Sequence, residues 1–205
     1  MLHLVQFGRA APTDVTRAMF AARKSVFVDL LRWDVPVVGG RYEIDQFDDE
    51  HARYLVLTDV DGAHLGSTRL LPTTRPHILG TLYPGLCDVP PPRGPAVFEI
   101  TRFCLDRRLR AAQRRLVRDT LVVALAEHAR AHGISTYTAI AELDWFQQIL
   151  AFGWDCLPLG IPQEIDGATL AALRIAITAE TPALLASAGI NTHAAMLDDV
   201  RPIAA

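Results

Sequence analysis

"AVFEITRFCLD", residues 96–106, decides how the rest of the chain is read. Its residues alternate with the two-residue period of a strand. Phe98, Ile100, Arg102 and Cys104 share one parity; Val97, Glu99, Thr101 and Phe103 share the other. A charged group inside an apolar strand must be paired, exposed on one face or functional. Glu99 and Arg102 nominally face opposite sides unless a bulge intervenes, and bulges are frequent beside active sites.

Working outward, residues 109–132 read as a long helix with Val117, Leu121, Ala124 and Leu125 on one face, ending before Gly133. "ISTYTAIA" (134–141) predicts a strand, "LDWFQQILAF" (143–152) a helix stopped by Gly153, and "WDCLPLG" a short strand. "ATLAALRIAIT" (168–178) fits strand or helix, and the alternation of its second half favours strand. Upstream, 52–60 and 64–73 form a hairpin around Asp61-Gly62, and 74–95 is a Pro/Gly-rich connection. Residues 2–7 suit a first strand. Pro12 and Thr13 start a helix, with Thr13 as N-cap, that runs to about Leu31. Arg23, Phe27 and Leu31 line one stripe of it. The following segment to Glu50 reads as a loop with short structure. Strand, helix, hairpin, strand, helix, strand, helix, strand implies a mixed sheet with helices on both faces, an α/β sandwich. Residues 1–189 are expected to form one domain and 190–205 a loose tail.

Composition narrows the function classes. The 205 residues are half apolar and carry a net charge of −3, which offers nucleic acid no global attraction. No apolar run is long enough for a membrane span, and the N-terminus lacks the sections of a signal peptide. Cys87, Cys104 and Cys156 are an odd number without metal-type spacing, which suits a reduced compartment, so a cytoplasmic protein is expected. Cys104, inside an apolar strand, reads as packing. Lys24 is the only lysine, which disfavours Schiff-base chemistry. "HARAH" (128–132) spaces two histidines at i, i+4, but lacks the glutamate of a zinc-protease helix and any evident third ligand, so no metal is assigned.

Against this background "RYEIDQFDDE" (41–50) stands out. Glu43, Asp45, Asp48, Asp49 and Glu50 face only Arg41 locally, with Ile44 and Phe47 threaded between them. Asp45 and Asp48 could meet Arg23, Arg69 and Arg102 in a network; the plainer reading is a solvated acidic loop.

In order, "ARKSVFVDLLRWDVP", "EIDQFDDEHARYLV", "GSTRLLPT" and "FEITRFCLD" strongly resemble the LuxI-type acyl-homoserine-lactone synthases, the autoinducer synthases of bacterial quorum sensing. The resemblance covers about residues 20–106 and continues more weakly through "FGW" to about 160. The family's signature positions fall on Arg23, Phe27, Trp33, Glu43, Asp45, Asp48, Arg69, Glu99 and Arg102. The resemblance implies a three-layer α/β sandwich similar to the N-acetyltransferase superfamily, with a mixed, mostly antiparallel sheet flanked by helices. It also implies an acyltransferase reaction between S-adenosylmethionine, a substrate rather than a cofactor, and an acyl thioester. The products are an N-acyl-homoserine lactone, methylthioadenosine and a free thiol. The alternatives are an N-acyltransferase of the same fold acting on another amine, and a non-catalytic ligand-sensing relative.

That chemistry suggests roles. Glu99 is the first candidate for taking the amine proton and Glu43 the second, with Asp45 holding the amine. Arg102 or Arg23 suits the substrate carboxylate. Phe27 and Trp33 suit the sulfonium through cation–π attraction. Asp48 and Arg69 are expected to form a structural ion-pair network. Ile100, Thr101, Phe103, Ala139, Ala141, Trp145 and Ile149 are candidates for the acyl pocket. Arg107, Arg108 and Arg110, at the start of the long helix, suit a phosphopantetheine or carrier phosphate. Acyl carrier protein is a candidate partner. Gln147 and Ala151 stand where family members often have basic docking residues, which leaves room for acyl-coenzyme A. Ala139 and Ala141, where a threonine accompanies 3-oxo-acyl preference, favour an unsubstituted chain.

Overall fold

The computed structural model describes residues 1–6 and 13–191, which fall into two compact units. The first holds residues 1–69 and 102–122, the second residues 70–101 and 123–191.

In the first unit β1 (Leu2–Gln6) runs antiparallel to β4 (Arg53–Thr58), with Leu2 opposite Leu57 and Gln6 opposite Arg53. Next to β4 is β5 (His64–Pro72). Gly62 turns the β4–β5 hairpin with φ +83°, and the Asp59 carboxylate accepts the Asp61 and Ala63 N–H groups. The Asp106 N–H donates to the Leu65 carbonyl at the end of β6 (Val97–Leu105). Gly66 lets the sheet approach α3 (Ala111–Ala131) closely: a Cβ there would lie 2.7 Å from Val117. Helix α1 (Thr13–Arg23) continues directly into a π-helical turn, Lys24–Leu30. The short strands β2 (Val37–Val38) and β3 (Tyr42–Glu43) pair after it. Met19, Phe20, Tyr54, Val56, Leu65, Cys104, Val117 and Leu121 are buried in this unit.

In the second unit β6 runs parallel to β7 (Thr136–Glu142), from Val97 opposite Thr136 to Ile100 opposite Ala139. Beyond β7 lies β10 (Ala168–Ala176), antiparallel to it and followed by β8 (Asp155–Pro158); β9 (Gln163–Ile165) also pairs with β10. Asp166 and Gly167 turn the β9–β10 hairpin, both with positive φ. The connection 74–95 carries a short helix α2 (Ile78–Thr81) and one 3₁₀ turn, and packs Leu79 and Leu86 on Ala172, Ile140 and Leu170. Helix α4 (Leu143–Leu150) ends before Gly153, where φ is +88° and a Cβ would lie 2.8 Å from that of Ala188.

The sheet is mixed and mostly antiparallel, flanked by helices, as the element order implies. Residues 168–176 are strand. Sequence reading misses α2 and the 3₁₀ turn within 74–95, β9, and a last helix α5 (Thr181–Ser187). The helix expected to reach Leu31 does so only by widening after Arg23. Phe7, Pro12 and the tail beyond Asn191 lie outside the described residues. Among the described residues no helix is long and apolar enough to cross a membrane.

Candidate active site

Three acids of the 41–50 segment turn inward and meet three arginines from α1, β5 and β6. Arg23 donates Nε to Glu43 Oε2 at 2.5 Å and both Nη groups to Asp48 at 2.8 Å, a fork on a carboxylate. Arg69 donates to Asp45 at 2.6 and 3.0 Å, and its Nη1 is also 2.8 Å from Asp48 Oδ1. Arg102 reaches Glu43 through Nε and Nη2 and Asp45 through Nη2 at 2.7 Å. Tyr54, a participant that sequence reasoning missed, donates its hydroxyl to Asp48 Oδ1 at 2.8 Å. Only its inward position on a strand following the acids hints at this role. The side chains of Arg23, Arg69, Glu43 and Asp48 are at most 1 % exposed, so the charges survive burial only through one another. Burial alone would raise the Asp48 carboxyl, but the Arg23 hydrogen bonds and the Arg69 and Arg23 charges outweigh it and hold it well below the usual range. Burial opposes the Arg23 charge, and bonds to Asp48 and Glu43 more than restore it. Burial first, then the Asp48 charge, keeps the Tyr54 phenol firmly protonated.

Arg102 has φ +49°, a left-handed conformation that ordinary residues seldom adopt. A positive φ inside a strand marks a bulge-like break, and it interrupts the alternation of β6 at Arg102 itself. Its guanidinium carbon lies 5.6 Å from the Phe27 ring centre and 5.7 Å from that of Trp33, and the two rings stack at 4.7 Å. Phe27 is buried, whereas Trp33 is 36 % exposed. Nη1 of Arg102 has no partner among the described residues, while every nitrogen of the Arg23 guanidinium is bonded. Arg23, Phe27, Trp33, Glu43, Asp45, Asp48, Arg69 and Arg102 therefore form one cluster within the first unit.

Glu99 belongs to the second unit. It is fully buried, and its two oxygens accept the Ile78 and Leu79 N–H groups at 2.7 and 2.8 Å, tying β6 to the start of α2. In the same unit Ile100 and Ala139 are neighbours across the parallel pair, and Ala141 follows on β7, all buried. Trp145 and Ile149 stand on α4, with Trp145 edge-on to Phe152 at 5.8 Å. Thr101 and Phe103 are half-buried on β6. Before α3, Arg107 and Arg110 are exposed, but Arg108 forks onto its neighbour Asp106, with Nη2 at 2.7 Å. Burial pushes the Cys104 thiol up to about 12, in keeping with a packing role. His128 and His132 stack ring on ring at 4.1 Å instead of converging their nitrogens on a common point. The described residues contain no metal-type cluster.

A mixed sheet flanked by helices, with a buried guanidinium–carboxylate cluster beside stacked aromatics, defines the class as an α/β sandwich with a charged site in its first unit. The fold likeness extends to a Lactobacillus plantarum protein described as an N-acetyltransferase, with TM-score 0.57, 19 % identity and coverage of 86 % of this chain and 99 % of that one. The autoinducer synthase family model matches residues 9–183, and the chain belongs to that family. An acyl-homoserine-lactone synthase of Ralstonia nicotianae is 40 % identical over 105 residues, which is 50 % of this chain and 52 % of that protein, so the match spans about half the relative's length. The solved structure of BjaI, a CoA-dependent acyl-homoserine lactone synthase, with SAM and isopentyl-CoA superposes with TM-score 0.83 at 27 % identity, covering 94 % of this chain and 90 % of that one.

Proposed function

We propose that this protein makes an N-acyl-L-homoserine lactone from S-adenosylmethionine and an acyl thioester. The observation that carries the reading is Nη1 of Arg102, which has no hydrogen-bond partner among the described residues, on a guanidinium held through Nε and Nη2 by Glu43 and Asp45 beside the Phe27–Trp33 stack. A fixed guanidinium edge next to aromatic faces suits an amino acid carrying both a carboxylate and a sulfonium. Arg102 is preferred to Arg23 as the carboxylate clamp, because Arg23 has no nitrogen to spare. Glu43, Asp45, Asp48, Arg69 and Arg23 then act as the frame around that clamp, and together with Arg102 they set three guanidiniums against three carboxylates. Membership of the autoinducer synthase family supports the same substrate pair.

In the reaction Glu99, directly or through water, takes a proton from the substrate ammonium. The freed amine attacks the thioester carbonyl, forms the amide and releases the thiol. A carboxylate oxygen of the acylated product then attacks the carbon next to the sulfonium. That step breaks the carbon–sulfur bond, closes the lactone and expels methylthioadenosine. It needs a folded substrate, which is what a fixed carboxylate clamp provides. Ile100, Thr101, Phe103, Ala139, Ala141, Trp145 and Ile149 are assigned to the acyl chain, and Arg107 and Arg110 to a donor phosphate. Arg108 is less suited, being engaged by Asp106. The CoA dependence of BjaI and the uncharged Gln147 and Ala151 favour acyl-coenzyme A over acyl carrier protein. The test is incubation with S-adenosylmethionine and a panel of acyl-coenzyme A and acyl-carrier-protein thioesters, with mass spectrometry of the products. Methylthioadenosine and a lipophilic lactone are expected in equal amounts, and release of neither with any donor overturns the reading.

A further inference from the structure

Lys24, the chain's only lysine, has a specific partner: Nζ donates to Asp29 Oδ1 at 2.8 Å and Oδ2 at 3.1 Å. A separation of five residues is wrong for an α-helix, where about 100° per residue sets such side chains about 140° apart and true neighbours are three or four apart. It is right for a π-helix, whose hydrogen bonds run from i to i+5, so that residues five apart nearly stack. Lys24–Leu30 is π-helical, and the Leu31 N–H donates to the Val26 carbonyl five residues back, at 2.9 Å. The ion pair therefore fits the widened backbone and not the α-helical one, and so favours it.

The widening begins just after Arg23 and contains Phe27. Rewinding the segment as α-helix would turn Phe27 by roughly a fifth of a turn relative to Arg23. Phe27 would leave its stack on Trp33 and its place under Arg102. The Phe27 carbonyl, which now accepts the Trp33 N–H at 2.8 Å, would pass to the Leu31 N–H. The α-helix is the default winding, so something must favour the rarer one, and π turns concentrate at functional sites.

We infer that Lys24 and Asp29 are a positioning pair: their salt bridge holds the π turn and so holds Phe27 against Trp33 and Arg102 for the sulfonium amino acid. The functional part of this inference rests on the proposed reaction. Neither side chain contacts the ion cluster, and both are partly exposed, at 28 % and 40 %. A pair so exposed has a modest effect, about threefold in an equilibrium.

The test compares Lys24→Met, Asp29→Asn and the swapped pair Lys24→Asp with Asp29→Lys. Each single change is expected to raise KM for S-adenosylmethionine about threefold at unchanged kcat. Each should also speed exchange of the Trp33 backbone amide, read by NMR, by a similar factor. The swap should restore both. Single variants with unaltered KM and amide exchange overturn the inference. So do losses of kcat and thermal stability at constant KM, or a swap that restores nothing. If the unsubstituted protein turns over no thioester, the proposed reaction falls, and the Trp33 amide alone still decides whether the pair holds the turn.

Discussion

Replacing Arg69 by alanine removes a fully buried guanidinium that reaches both Asp45 and Asp48. Breaking a buried charge pair by deleting one partner costs ~3–5 kcal/mol, because the other charge stays behind in a medium that solvates it poorly. Here the orphans are not abandoned: Asp48 keeps Arg23 and Tyr54, and Asp45 keeps Arg102. The expected loss is therefore at the low end, about 3 kcal/mol. At about 2–4 °C per kcal/mol for a protein of this size, the melting temperature should fall by roughly 6–12 °C. Arg69→Met, which fills more of the space, should lose nearly as much, since the cost lies in stranded charge more than in the cavity. The deficit must also depend on pH in a set direction. Asp48 is depressed in the folded protein, so its contribution is present above its unfolded value, near 3.9, and is lost as pH falls toward the folded one. Without Arg69 part of that depression disappears, so variant and parent should converge as pH falls below about 4. Urea titrations at neutral pH and at the lowest pH the parent tolerates measure this. A variant within ~1 kcal/mol of the parent at neutral pH, or a deficit indifferent to pH, would refute the idea that Arg69 neutralises buried acids.

Other outcomes follow from the same geometry. His64 is buried on β5 with Nε2 2.8 Å from Ser67 Oγ, and burial pushes its imidazole down to about 4. The unfolded chain binds that proton first as pH falls, so stability should decline between about pH 6.5 and 4 by up to ~3 kcal/mol. His64→Phe should flatten this slope in urea midpoints, and an unchanged slope would assign the loss elsewhere. Arg102→Lys keeps the charge but loses the fork, so KM for S-adenosylmethionine should rise about tenfold, the equivalent of ~1.4 kcal/mol for a charge-assisted contact. Initial rates measure it, and an unaltered KM would remove Arg102 as the carboxylate clamp. Glu99→Gln keeps an oxygen for one α2 N–H but cannot take a proton, so kcat should fall at least about a hundredfold with substrate binding retained. Unchanged single-turnover rates would exclude Glu99 as the base.

The cluster was legible in outline because buried charge leaves few choices. Arg69 in "GSTRLL" and Arg102 in "FEITRF" had to find carboxylates, and only 41–50 is rich in them. Spacing could not say which acids turn inward. Glu43, Asp45 and Asp48 do, while Asp49 spends Oδ1 on the His51 and Ala52 N–H groups of its own turn. The inward strand partner Tyr54 was invisible for a related reason, since a tyrosine in an apolar strand packs equally well with or without a charge to hold. The π turn was hidden because an apolar stripe tolerates either winding over seven residues; only a pair that fits one winding, such as Lys24 and Asp29, distinguishes them.

The break at Arg102 shows how local strain and the cluster depend on each other. A left-handed arginine is costly by itself and persists only where its surroundings over-determine it. Glu43 and Asp45 supply that determination with contacts to Nε and Nη2, and they leave Nη1 over. Glu43 and Asp45, two of the acids that looked like catalytic candidates in sequence, are thus consumed in aiming a cation. Cutting Glu43 back to alanine should therefore loosen Arg102 before it touches any proton transfer. It should appear as a raised KM for S-adenosylmethionine accompanied by lost stability, since Arg23 loses one of its two carboxylate partners at the same stroke and keeps only Asp48. A Glu43→Ala protein that keeps both KM and melting temperature but loses kcat would return Glu43 to the chemistry and leave the aim of Arg102 to Asp45 alone.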